Sequence, residues 1–167
     1  NAIHRTAELL ETLTRYRARE VEIDGLTYRE GLNAVAIAGG VAGNVIPDEC
    51  VVTVNYRFAP DLSPAQAEEH LRQVFPDVEL VVVDSAPGAR PGLHLDLARE
   101  FVAATGERAA PKFGWTDVAR FAAIGIPALN FGPGSPSVAH TPGEFVDVSE
   151  LRRCEEVLRA WLAGGNG

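Results

Sequence analysis

Apolar residues recur at helical spacing from the start of the chain. Ile3, Ala7, Leu10 and Leu13 fall on one face of a helix that the pattern carries to about Arg19. Val21 to Ala38 reads as extended until Gly39-Gly40 and Gly43 break it and Pro47-Asp48 turns the chain. From Glu49 to Phe58 the residues alternate. Val52, Val54, Tyr56 and Phe58 share one face, and Val51, Thr53, Asn55 and Arg57 share the other. That alternation predicts a strand with one buried and one polar face, paired with Asn33–Ala38 as a hairpin. Ser63-Pro64-Ala65-Gln66 places a capping serine, a proline at the first helical position and a glutamine at the third, which predicts a helix to about Val74. Val78–Val83 reads as a short apolar strand.

The order α-β-β-α-β is that of a ferredoxin-like βαββαβ sandwich without its first strand. Ser85-Ala86-Pro87-Gly88 marks a boundary, so residues 1–87 form one expected unit and residues 88–167 a second. In the second unit, Leu93, Leu97 and Phe101 predict a helix stopped by Gly106, and Pro111–Gly114 is short and extended. Thr116 can cap a helix that Gly125 ends, and Ile126–Phe131 reads as a buried strand. A Gly/Pro-rich loop spans Gly132 to Glu144. Asp147 and Ser149 compete to cap a last helix presenting Leu151, Cys154, Leu158 and Trp161 on one face. The expected fold class is α/β: an α+β unit followed by a layered α/β piece.

Composition narrows the function classes. The chain has 167 residues and 46% apolar content, enough for a core. Acidic residues exceed basic ones by 23 − 15 = 8, which disfavours nucleic acid and anionic membranes as partners. No apolar run approaches the roughly 18 residues of a membrane span. Cys50 and Cys154 are too few for a disulfide framework or a cysteine metal site, and a cytoplasmic setting is expected. The absence of methionine, together with an opening directly on a helical pattern, suggests part of a longer polypeptide.

Among the histidines, His4 and His70 lie within helices, and His94 has no carboxylate or cysteine at ligand spacing. His140 sits in the Gly/Pro-rich loop after an apolar strand, where open α/β sheets gather their ligands. No paired histidines or CxxC accompany it, and Asp117 and Glu144 are the nearest acids. There is no GxSxG, and Gly39, Gly40 and Gly43 lack the lysine of a phosphate loop. Arg57, beside Asn55 on a polar strand face, and Arg120, after the Gly114-Trp115-Thr116-Asp117 turn, offer forks for a carboxylate or simple surface ion pairs.

Gly43-Asn44-Val45-Ile46-Pro47-Asp48 and Val54-Asn55-Tyr56-Arg57-Phe58 resemble the lid, or dimerisation, domain of the M20 metallopeptidase family. Gly114-Trp115-Thr116-Asp117-Val118-Ala119-Arg120-Phe121, Asn130-Phe131-Gly132-Pro133-Gly134 and Ala139-His140 resemble the end of its catalytic domain. The related loop often reads Gly-Gly-Thr-Ser-Asp, where this chain has Phe113-Gly114-Trp115-Thr116-Asp117. The resemblance covers essentially the whole chain.

The resemblance implies a hydrolase that uses one or two zinc ions, or cobalt, to cleave an amide in an anionic small molecule. The favoured substrate is N-succinyl-LL-2,6-diaminopimelate of lysine biosynthesis. The alternatives are acetylornithine deacetylase or aminoacylase chemistry, or a non-catalytic dimerisation module. By the same resemblance His140 is a zinc ligand, and Asn44 reaches the substrate in the neighbouring subunit of a homodimer joined through the lid. Arg57 and Arg120 hold substrate carboxylates, and Gly114 and Thr116 line the pocket. The family's His-x-Asp motif, bridging aspartate, Glu-Glu pair and lid histidine lie upstream of the matching segment. The expectation is therefore a C-terminal portion without catalytic residues of its own and inactive alone.

Overall fold

The structure is a computed structural model that describes residues 1–164. Helix α1, Ala2–Arg15, opens with the Asn1 side chain accepting from the His4 N–H at 3.3 Å. It stops short of the expected Arg19. Tyr16 turns extended because its hydroxyl is held by His70 at 2.8 Å, and Arg19 is claimed by carboxylates elsewhere. Tertiary bonds thus outweigh the helical propensity of these residues.

The stretch expected to run extended from Val21 to Ala38 is two strands and the start of a third. Strands β1, Glu20–Ile23, and β2, Leu26–Arg29, form an antiparallel hairpin with Ile23 opposite Leu26. Asp24-Gly25 is the two-residue turn, with φ of 50° and 76°. Positive φ at both positions is the signature of a type I′ turn, whose twist matches the strands. Strand β3, Gly31–Gly39, pairs antiparallel with β4, Cys50–Arg57, with Asn33 opposite Asn55 and a bulge between Ala34 and Ala36. This is the hairpin that the alternation predicts. Val52, Val54 and Tyr56 are half-buried against α1 and its surroundings, while Val51, Thr53, Asn55 and Arg57 are exposed.

Helix α2, Pro64–Val74, carries the full capping box. The Gln66 N–H donates to Ser63 Oγ at 3.3 Å, and the Ser63 N–H donates to Gln66 Oε1 at 2.9 Å. No strand forms over Val78–Val83, where Val81 and Val83 are exposed. A strand exists only when another lies beside it, and no partner comes alongside this segment. The same applies to Pro111–Gly114 and Ile126–Phe131, which run as irregular chain. The mixed α/β class holds, but its sheets are two small hairpins in the first half.

The second half is built from α3, Asp96–Thr105, α4, Val118–Ala123, and α5, Val148–Gly164. Gly106 ends α3 in the left-handed conformation, as its position predicts. Thr116 does not cap α4. Asp117 occupies that position, and the Thr116 hydroxyl accepts from Asn130 Nδ2 at 3.2 Å instead. Gly125, at φ 77°, closes α4 with two bonds, Gly125 N–H to Ala122 O at 3.0 Å and Ile126 N–H to Phe121 O at 2.9 Å. These are the paired bonds of a Schellman motif. Asp147, not Ser149, caps α5 by accepting from the Ser149 N–H at 2.7 Å. Phe101 of α3 meets Phe131 and Trp161 edge-on at 5.2 and 5.0 Å, which joins α3, α5 and the connecting chain. No helix of the described residues is long and apolar enough to cross a membrane.

The main core cluster is small: Ile23, Tyr28 and Ala59, flanked by Val21 and Leu26. Beside it lies a buried charge. The Glu30 side chain is fully covered and takes Arg19 in a two-pronged contact, Nη2 to Oε1 at 2.7 Å and Nε to Oε2 at 3.1 Å. Tyr56 Oη donates to it at 3.0 Å and the Ala59 N–H at 2.9 Å. Arg19 also grips Asp61 through Nη1 and Nη2 at 3.2 and 3.1 Å. Burial pushes the Glu30 carboxyl up, but Arg19, Ala59 and Tyr56 together hold it below its ordinary value.

Removing Arg19 strands a covered carboxylate. Arg19→Ala should therefore cost on the order of 3–5 kcal/mol, read from denaturant midpoints, with Arg19→Lys in between because it keeps the charge but loses the fork. The depressed carboxyl contributes stability that is complete above its ordinary value of about 4.5 and lost as pH falls through the lower folded-state value. Thermal melts should show the wild-type advantage over Glu30→Gln shrinking below that pH.

Candidate functional site

A broad open cleft of about 1680 Å³ separates the exposed face of β4 and α2 from the chain around residues 111–119 and 128–136. Asn55 and Arg57 of β4 line it, together with their neighbours Val54 and Tyr56. Arg57 Nε donates to Asn55 Oδ1 at 3.4 Å, which leaves the rest of the guanidinium open. Across the cleft stand Gly114, Thr116 and Asn130, with the Thr116–Asn130 bond tying two irregular segments together. A Cβ on Gly114 would meet only Lys112 Cε, at 3.9 Å, so glycine keeps this rim low rather than relieving a clash.

The remaining expected residues lie outside the cleft. Asn44 is exposed in the turn joining β3 to β4. Arg120 is exposed on α4, its guanidinium 5.5 Å from the centre of the Trp115 ring and its Nε 3.4 Å from Asp117 Oδ1. His140 is exposed and does not line the cleft, although its neighbours Val138, Ala139 and Glu144 do. The Ile126–Phe131 strand expected to precede this loop does not form, so irregular chain leads into the turn that carries His140.

The loop that holds His140 is pinned at both ends. The Gly134 N–H donates to Glu150 Oε2 of α5 at 2.7 Å. The Thr141 N–H returns to Val138 O at 3.3 Å, and Thr141 Oγ1 donates to the same oxygen at 2.7 Å. His140 is the third residue of that four-residue turn and has φ 62°. Positive φ at this place is the requirement of a type II turn and normally selects glycine. A side chain there costs about 1–2 kcal/mol relative to glycine. Among the described residues no three of His, Cys, Asp and Glu converge to hold a metal ion.

Sequence reasoning passed over three functional-looking features. Glu30 was invisible because a lone acid between strands reads as surface. His94 gains a carboxylate from far along the chain: Asp24 Oδ2 lies 3.2 Å from His94 Nδ1 and accepts from the Leu93 N–H at 3.1 Å. Asn130 gave no signal beyond its place within the resembling segment.

Residues 1–80 match the M20 peptidase dimerisation domain. This segment is the dimerisation domain of the M20 peptidases. It is 54% identical, over 98% of its length, to a Mycobacterium tuberculosis protein named putative succinyl-diaminopimelate desuccinylase, and covers 47% of that protein. A Corynebacterium glutamicum succinyl-diaminopimelate desuccinylase is 44% identical over 98% of the chain, which covers 46% of it. A Myxococcus xanthus acetylornithine deacetylase is more distant, at 30% over 79% of the chain and 37% of its own length. The chain thus spans about half the length of the curated relatives it matches. The M20 match falls on the β-hairpins and on α1 and α2, and the similarity to the desuccinylases continues through the cleft-lining and His140 segments.

If the left-handed backbone at His140 is the cost of presenting its ring, glycine should relieve it. His140→Gly should raise stability by about 0.5–1 kcal/mol, checked by chemical denaturation. A loss of stability would show instead that the imidazole is held for packing.

Proposed function

We propose that this chain is part of an M20 amide hydrolase that removes succinate from N-succinyl-LL-2,6-diaminopimelate in lysine biosynthesis, in the cytoplasm. The supporting observation is the 54% identity that runs through both the dimerisation segment and the cleft-lining segments. In this reading residues 1–87 are the lid that pairs two subunits, and residues 88–167 are the end of the catalytic domain.

Arg57 and Thr116, which both line the cleft, bind the anionic substrate, while Gly114 leaves its rim low enough for backbone approach. Arg120, steadied by Trp115 and Asp117, contributes a second cation at the edge. In a protein of net charge −8 such local cations must reverse the field for a polycarboxylate. Asn44, at the tip of the β3–β4 hairpin, reaches toward the other subunit's site. His140, exposed on its turn, suits one corner of a metal, and the remaining ligands come from the upstream part of the longer protein. A bound zinc ion supplies polarisation of the scissile carbonyl.

The decisive experiment joins residues 1–167 behind the amino-terminal half of the Mycobacterium tuberculosis relative. The joined protein should release succinate from the succinylated substrate in a chelator-sensitive reaction, and residues 1–167 alone should release none. Release by the joined protein only from N-acetylornithine would favour the deacetylase chemistry of the more distant relatives. In the joined protein, Arg57→Ala and Arg120→Ala should each lower kcat/KM by roughly tenfold to a hundredfold, with Arg57→Lys a partial rescue. If both alanine variants stay within about twofold of the parent, the two arginines are surface charges.

A further inference from the structure

We propose that Glu144 is a positioning residue that sets the direction in which His140 leaves its loop. The Glu144 carboxylate reaches back four residues, and its Oε2 accepts the His140 backbone N–H at 3.1 Å. This N–H belongs to the third residue of the Val138–Thr141 turn, whose closing bonds come from Thr141 and leave it without an acceptor in the turn itself. The Glu144 N–H meanwhile donates to Thr141 O at 3.0 Å, so residues 138–144 form two linked turns that share Thr141, with His140 just before the junction. The carboxylate adds a charge-assisted bond where the backbone is held at φ 62°. A strained conformation persists only when its surroundings over-determine it, and Glu144 is the contact that does so from outside the turn. The direction of the Cα–Cβ bond follows from the backbone angles. Fixing φ therefore fixes where the imidazole starts, whatever its ring goes on to bind.

The inference deepens the reading of His140 as a ligand-bearing residue and rests on it only for its consequence. Its geometry is testable in residues 1–167 alone. Nuclear magnetic resonance of the labelled chain should show the strong intraresidue amide–Hα contact of a left-handed residue at His140, together with slowed amide exchange. Glu144→Ala should abolish that contact and speed His140 exchange by about tenfold, the equivalent of one charge-assisted bond. Glu144→Gln, which keeps an acceptor, should restore both signals in large part. Persistence of the left-handed signature and the slow exchange in Glu144→Ala would overturn the proposal, because the turn would then hold His140 unaided. Loss of the signature in Glu144→Gln as well would also overturn it, since any acceptor should serve. The ligand reading is tested separately by His140→Ala in the joined protein. Unchanged zinc content there would remove the function of the imidazole without touching the role of Glu144 in its geometry.

Discussion

The first half of this protein depends on one covered carboxylate. Glu30 sits between β2 and β3 and gathers Arg19 from the link between α1 and β1, Tyr56 from β4 and the Ala59 N–H from the following loop, while Arg19 extends the contact to Asp61. Four segments therefore meet at a single charge. A buried ion pair is not in itself a strong source of stability, because desolvation offsets much of its attraction. Its value here is geometric: each donor has one position in which it satisfies Glu30, so the two separate hairpins and the start of α2 acquire a common frame. The small apolar cluster of Ile23, Tyr28 and Ala59 could not supply that frame by area alone. A neighbouring polar chain, Tyr16 to His70 and the Tyr56 ring against His70, continues it into α2.

The second half is held differently. Its helices meet through the aromatic contacts of Phe101 with Phe131 and Trp161, and its long loop is fastened by single polar bonds to Glu150 and Glu144. Many apolar side chains remain exposed, including Trp115, Ile124 and Phe145. Irregular backbone crossing an open cleft is poor at packing but good at presenting polar groups, and the cleft takes Thr116, Asn130 and Glu144 from three such stretches. The Asp24 carboxylate, reaching Leu93 and His94 from the tip of the first hairpin, is the polar link between this half and the frame organised by Glu30.

The sequence by itself determined what depends on near neighbours. The α2 cap was readable from Ser63 and Gln66 because a capping box closes within four residues. The β3–β4 hairpin followed from alternation, and the ends of α3 and α4 followed from Gly106 and Gly125. The Asp24-Gly25 turn was also local, but lay inside a run whose apolar content read as one strand. Arg57, Gly114 and Thr116 could be singled out by type and resemblance, and all three line the same cleft. Tertiary structure alone decided the rest. Val78–Val83 and Ile126–Phe131 have strand-like composition but no partner, and a strand's hydrogen bonds belong to a pair of segments, not to one. The burial of Glu30, the early end of α1 and the exposure of His140 each depend on a bond or a backbone angle that no residue specifies until its distant or looped-back partner arrives.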